Sequence, residues 1–161
     1  MTHQPESHHE LHWKSGLADN ERTMFKMKLR YVGATVLYCG MIFWMSSQSS
    51  PPTGDWSLFS FPAADKLAHA LLYAGLTTIV SFGLWRSNES LRPALQFWLP
   101  VVFSVFYGLS DEIHQLYVAE RNFDLMDLLA DGIGATIVQV ALCKVVWPGG
   151  QKMKWGSPSG E

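Results

Sequence analysis

Three stretches of the chain, Tyr31–Gly54, Leu67–Trp85 and Pro93–Ser110, contain no Asp, Glu, Lys or Arg, and a further apolar run follows Asp131. Each approaches or exceeds the roughly 18–20 apolar residues needed to cross a hydrocarbon core of about 30 Å. The pattern predicts an all-α polytopic membrane protein with four transmembrane helices in a bundle. Helix 1 covers about Leu29–Ser46 and stops at Ser46–Pro52, where hydroxyls and two prolines cannot continue it. Helix 2 runs from about Ala63 to Trp85, with Asp65 near its amino end, where free backbone donors favour a carboxylate. Helix 3 opens on Pro93, carries Pro100 as an expected kink and runs to about Gln115; helix 4 spans about Asp124–Trp147.

The ends are polar. Residues 1–28, with His3, His8, His9 and His12 at irregular spacing, are expected to form a disordered tail, and 148–161 a second polar tail around a membrane domain at 29–147. No A-x-A site follows the first apolar run, so that run is read as a retained helix rather than a signal peptide. Trp56, Phe59 and Phe61 suggest that the first loop lies at the membrane interface. Basic residues set the orientation. Lys26, Lys28 and Arg30 precede helix 1, Arg86 and Arg92 flank the 2–3 turn, and Lys144, Lys152 and Lys154 attend the end of helix 4, whereas the other two connections hold only Lys66 and Arg121. By the positive-inside rule both termini are cytoplasmic, and the protein is a multi-pass component of the cytoplasmic (inner) membrane.

Composition sharpens this picture at two points. A formal net charge of -2 excludes the basic surface that nucleic acid requires. Cys39 and Cys143 fall within spans at different depths and are read as small buried hydrophobes rather than a disulfide or a metal pair.

The chemistry is concentrated at Ser110–Asp131 and its neighbours. Asp65, His69 and Tyr73 recur at i, i+4, i+8 on helix 2; Ser104, Tyr107, Asp111 and either His114 or Gln115 share a face of helix 3; Asp124, Asp127 and Asp131 share one of helix 4. Alternating helix directions bring these groups, with Ser46–Ser49 and Arg121, to one outward membrane face. An ionisable group at the bilayer centre costs about 3 kcal/mol even on lenient scales, so these side chains require partners or water. Two readings fit. In one they form a polar plug in which Lys66 and Arg121 neutralise carboxylates; in the other they line a cavity that binds a polar or anionic group. As many as six acids against two bases balance poorly for a plug, unless acids are protonated or a cation is bound.

His69, Glu112, His114 and Asp127 are the candidate catalytic residues, and Asp65, Tyr73, Asp111, Gln115, Arg121 and Asp131 the candidate binding residues. The His and carboxylate groups suit a divalent metal such as Zn²⁺, Mn²⁺ or Mg²⁺, or one acid could act as a general base. Glu112-x-His114 is no recognised metal signature, and no G-x-S-x-G, Walker A or H-E-x-x-H pattern occurs. Arg121 suits an anion clamp on phosphate or carboxylate. Gly132 and Gly134 would let a neighbouring helix come close to helix 4.

These residues resemble the VanZ-like family, named for an accessory protein of glycopeptide resistance linked to teicoplanin. The matching segments are Asp65-Lys66-x-x-His69-x-x-x-Tyr73, Ser110-Asp111-Glu112-Ile113-His114-Gln115, Arg121 with Asp127 and Ala130–Ala135, and Ser46-Ser47-Gln48 in the first loop; together they cover roughly 29–147. Asp131 stands where Asn is expected, adding a charge, and Val138 where a second small residue is usual, which predicts looser packing of helix 4. The resemblance implies a cell-envelope protein, with membrane lipids and a lipid-linked or peptidoglycan-related intermediate as partners and a possible link to teicoplanin resistance. A metal-dependent hydrolase acting on a lipid or polyprenyl phosphate, with His69, Glu112 and His114 as ligands or base, is the enzymatic alternative. A structural or assembly partner is the third. A small-solute or proton carrier fits poorly, because four helices leave little room for alternating access.

Overall fold

The computed structural model describes residues 8–49, 63–87 and 91–146, with backbone alone for 8–25, 27 and 87. Four helices follow one another, α1 His8–Ser46, α2 Ala64–Ser87, α3 Pro93–Gln115 and α4 Leu125–Val145, and there is no strand among the described residues. The aromatic first loop and the carboxyl-terminal tail expected from the sequence lie outside the described residues.

α2, α3 and α4 are long and apolar enough to cross a membrane. The helix expected from Leu29 begins instead at His8; the intervening segment holds no proline, and about half of it is Leu, Glu, Lys, Arg, Met or Ala, which favour helix. Its 39 residues make α1 about 58 Å long, more than one hydrocarbon thickness.

Burial is inverted relative to a water-soluble domain. The buried apolar residues are Ile42, Ala64, Tyr73, Leu76, Val101 and Ala135, whereas Ser46, His69, Thr77, Ser81, Ser104, Asp111, Glu112, Gln115, Asp127, Asp131 and Gln139 are buried although polar. Leu37, Trp44, Phe106, Leu129 and Ile137 point outward, as a lipid-facing surface requires.

Paired residues fix the topology. Tyr38 on α1 donates to the Leu72 carbonyl of α2, and Tyr38 and Tyr31 occupy the space left by Gly75 and Gly83, so these helices are antiparallel. Thr77 with Ser104 and Tyr73 with Tyr107 pair α2 antiparallel to α3, and His69 with Asp131 and Ser81 with Gln139 pair α2 parallel to α4. Ser46 with Asp111 and Tyr107 with the Cys39 carbonyl run α1 parallel to α3. The carboxyl ends of α1 and α3 therefore meet the amino ends of α2 and α4, as the alternating directions predict.

α4 makes its most extensive contact with α2 and buries Asp127, Asp131, Gly134, Ala135 and Gln139. The looser packing expected from Val138 is not found, because the close approach is made at Gly134, where an added Cβ would strike the Ala70 carbonyl of α2. Gly132 has no such role; a Cβ there would meet Val105 at an ordinary 3.7 Å. Pro100 lies buried inside α3 and cannot donate to the Gln96 carbonyl one turn earlier. Gln139 of α4 supplies a donor to that carbonyl at 3.2 Å, which is how membrane helices tolerate interior proline. Cys39 and Cys143 are free thiols.

Candidate functional site

The polar end is assembled by helix starts and stops. α2 opens with Asp65 in its first turn, next to Lys66. α4 is capped by Asp124, whose side chain accepts from the Met126 N–H at 2.7 Å, while the Asp124 N–H donates to Glu112 Oε2 at 2.8 Å. Glu112, fully buried near the end of α3, thus anchors the start of α4; the Gln115 amide reaches its other oxygen at 3.4 Å.

Lys66 joins α2 to α4, donating at 2.8 Å to both Asp124 and Asp127. Asp124 lies just outside α4, and the hydrogen bond from Lys66, aided by the Met126 N–H, holds its carboxyl below the ordinary aspartate value. Deeper in, His69 Nδ1 faces Asp131 Oδ1 at 3.1 Å, and the His69 ring stacks along α2 on Tyr73 with centroids 6.3 Å apart. On the α1 side Ser46 donates to Asp111 at 2.6 Å, and His114 lies 3.1 Å from the Ser47 hydroxyl, stacked on Phe43.

The residues singled out from the sequence therefore come together in two groups. Asp65, His69, Tyr73, Glu112, Gln115, Asp127 and Asp131 join α2, α3 and α4, whereas Asp111 and His114 turn toward α1. His69, Glu112 and His114 do not form one ligand set. The carboxylate and imidazole groups that approach each other are Asp65, His69 and Asp127, each offering a ligand atom within 4.8 Å of the others. Arg121 is not poised over a carboxylate among the described residues; its Nε donates to the Gln48 carbonyl at 3.3 Å and ties the α3–α4 connection to the end of α1.

Two polar atoms at this end are buried without a hydrogen-bond partner, the Tyr73 hydroxyl and Asp131 Oδ2. Both side chains occupy space opened by Gly108, where an added Cβ would meet Asp131 Oδ2 and the Tyr73 ring.

Sequence reasoning missed the continuation of the stripe on α2. Thr77 and Ser81 extend Asp65–His69–Tyr73 by two further steps of four residues and are buried against Ser104 and Gln139. Uncharged side chains in an apolar run carry a weak signal, but the unbroken four-residue spacing identifies them. A shallow cavity lined by Ser81, Phe82, Trp85, Leu142 and Val146 lies toward the opposite end, away from the acids.

The chain matches no curated protein and no solved structure at a significant level. The VanZ/LLP1 family model matches residues 22–146, which contain all four helical segments of the bundle and every residue of the polar end. Match, helical architecture and inverted burial agree: this chain is a membrane protein of the VanZ/LLP1 family.

Proposed function

We propose that the protein acts in the bacterial cell envelope, as a four-span protein of the cytoplasmic membrane with both termini inside, and that its polar end faces outward and binds the polar group of a lipid-linked or peptidoglycan-related molecule. The fourth span in this reading is the second half of α1, Leu29–Ser46, whose Leu29, Val32, Val36, Leu37, Phe43 and Trp44 are exposed. Lys26, Lys28, Arg30, Arg86, Arg92 and Lys144 cluster at the opposite end and support the orientation. A link to glycopeptide (teicoplanin) resistance belongs to the same reading.

One observation carries it. Four carboxylates, Asp111, Glu112, Asp127 and Asp131, and the His69 imidazole are all buried at one end of a bundle whose outer surface is apolar. Ionisable groups inside a membrane bundle are costly and mark functional sites by default. The test is native mass spectrometry of protein purified from its own membrane, wild type beside His69→Ala and Asp131→Asn. A co-purified envelope lipid that both variants lose supports binding. Variants as stable as wild type, with the same bound lipids or none, remove it. In cells, loss of the protein at matched expression should change teicoplanin susceptibility; no change would detach the resistance link alone.

A metal-dependent membrane hydrolase is the second reading, and the Asp65–His69–Asp127 constellation favours it. Such a set would hold Zn²⁺ or Mn²⁺, with Asp131 orienting the His69 ring from behind. Stoichiometric metal together with turnover of a polyprenyl or phospholipid phosphate, both abolished in Asp127→Asn, is its expected outcome. Purified protein with neither metal nor turnover rejects it.

A further inference from the structure

The charges at the polar end do not cancel. Of the four buried carboxylates, Asp127 receives Lys66 and Asp131 faces His69. The other two have neutral donors only: Asp111 takes the Ser46 hydroxyl, and Glu112 the Asp124 N–H and the Gln115 amide. Arg121 donates its Nε to the Gln48 carbonyl and has no carboxylate partner among the described residues, and the sequence between Ser47 and Asp65 contains no Lys or Arg that could supply the difference. With Asp65 and Asp124 included, six carboxylates stand against Lys66 and Arg121, and protonating both His69 and His114 still leaves an excess of negative charge. In a low-dielectric bundle an uncompensated buried carboxylate is strongly destabilising.

A second, independent feature says where compensation belongs. Asp131 Oδ2 and the Tyr73 hydroxyl, on side chains 1% and 0% exposed, have no hydrogen-bond partner among the described residues, and both side chains reach α3 at Gly108, where only a glycine leaves them room. A carboxylate oxygen and a hydroxyl lone pair are ligands for positive charge, and an anion placed there would be repelled by Asp131.

We propose that the polar end recognises a cation, a metal ion or the ammonium terminus of a larger molecule, held by the Tyr73 hydroxyl and Asp131 Oδ2. The inference rests on the reading of this end as a binding site, and it fixes the sign of the charge that the site accepts.

The test uses the full chain in lipid nanodiscs of zwitterionic phosphatidylcholine, titrated at constant ionic strength with Na⁺, Mg²⁺, Mn²⁺, methylammonium and inorganic phosphate, with thermal unfolding as readout. The expected result is a saturable rise in Tm with at least one cation and none with phosphate. Methylammonium alone would indicate an amine-bearing ligand, and a metal alone an ion site; either supports the proposal. Tyr73→Phe is the decisive variant, because it deletes a hydroxyl that has no hydrogen-bond partner among the described residues. It should weaken the cation response about tenfold, the loss of one charge-assisted contact, while leaving the cation-free Tm unchanged or higher. Saturable phosphate binding with inert cations overturns the sign and leaves the binding-site reading standing. A protein that responds to pH but to no probe overturns both, its acids being neutralised by protons alone.

Discussion

Lys66 is the cation on which the outer rim depends, because it alone among the described Lys and Arg residues is ion-paired with these acids, and its partner Asp127 is buried. Replacing it by Met strands that carboxylate. Lys66 itself reaches water, so the full cost of breaking a buried pair is discounted; the expected loss is about 2 kcal/mol. Lys66→Met with Asp127→Asn should recover most of it, measured by thermal unfolding in detergent. The same contact governs an acid titration. Asp124 has a lowered value in the folded protein, so its contribution is present above the unfolded aspartate value and fades as pH falls through the folded one. In Lys66→Met the Asp124 carboxyl should titrate closer to an ordinary aspartate, as followed by carbon-detected NMR; an unchanged midpoint would assign the lowering to the Met126 N–H instead. From the sequence Lys66 was recognisable as a rare base near acids. Its choice of Asp124 and Asp127 was not, since that pairing depends on α4 packing directly beside α2 and on its rotation there. The same limit applies to His114, whose neighbours in sequence are acids but whose partner in space is Ser47.

Between helices, small residues and uncharged polar ones decide the packing. Gly134→Ala forces the α2 backbone away at Ala70, and the expected cost is about 1–3 kcal/mol, whereas Gly132→Ala meets only Val105 at van der Waals distance and should be within about 0.5 kcal/mol of wild type. Equal effects would mean that α4 is free to shift. A second pair tests the proline accommodation. Gln139→Leu removes the donor to Gln96 and the acceptor of Ser81, an expected loss of about 1–2 kcal/mol. Pro100→Ala restores a backbone N–H one turn after Gln96, so the double variant should lose less than the sum of the singles. Strict additivity would separate Gln139 from the proline. The helices themselves were legible, because runs free of charge leave few alternatives. Which glycine makes the contact was not, since Gly132 and Gly134 are both small and only their direction, set by helix rotation, distinguishes them. The start of α1 at His8 was hidden because polar composition suggested disorder, although the same residues are good helix formers.

At the scale of the whole molecule, an envelope role requires the polar end to lie on the outer side of the membrane. The contacts place the carboxyl ends of α1 and α3 together with the amino ends of α2 and α4, and the basic residues lie toward the other end. Orientation is then a matter of two positions. Ser110 is exposed near the acids, and Ala94 is exposed near the start of α3, beside Arg92. In a background with Cys39 and Cys143 replaced by Ala, Ser110→Cys should react with a membrane-impermeant maleimide in intact cells, and Ala94→Cys only after permeabilisation. The reverse pattern would put the acids in the cytoplasm, where an envelope ligand on the outer surface could not reach them, and would reject the outward-facing site while leaving the bundle intact. Labelling of both positions from one side would instead mean that α3 does not cross. The outcome also bears on the charge excess. On the outer side a buried negative end faces the more positive side of the membrane potential, and each elementary charge moved across 100 mV is worth about 2.3 kcal/mol. A cation entering the Tyr73–Asp131 site from outside therefore moves with the field, and its apparent affinity in vesicles should rise when the interior is made negative, to the extent that the site lies within the field.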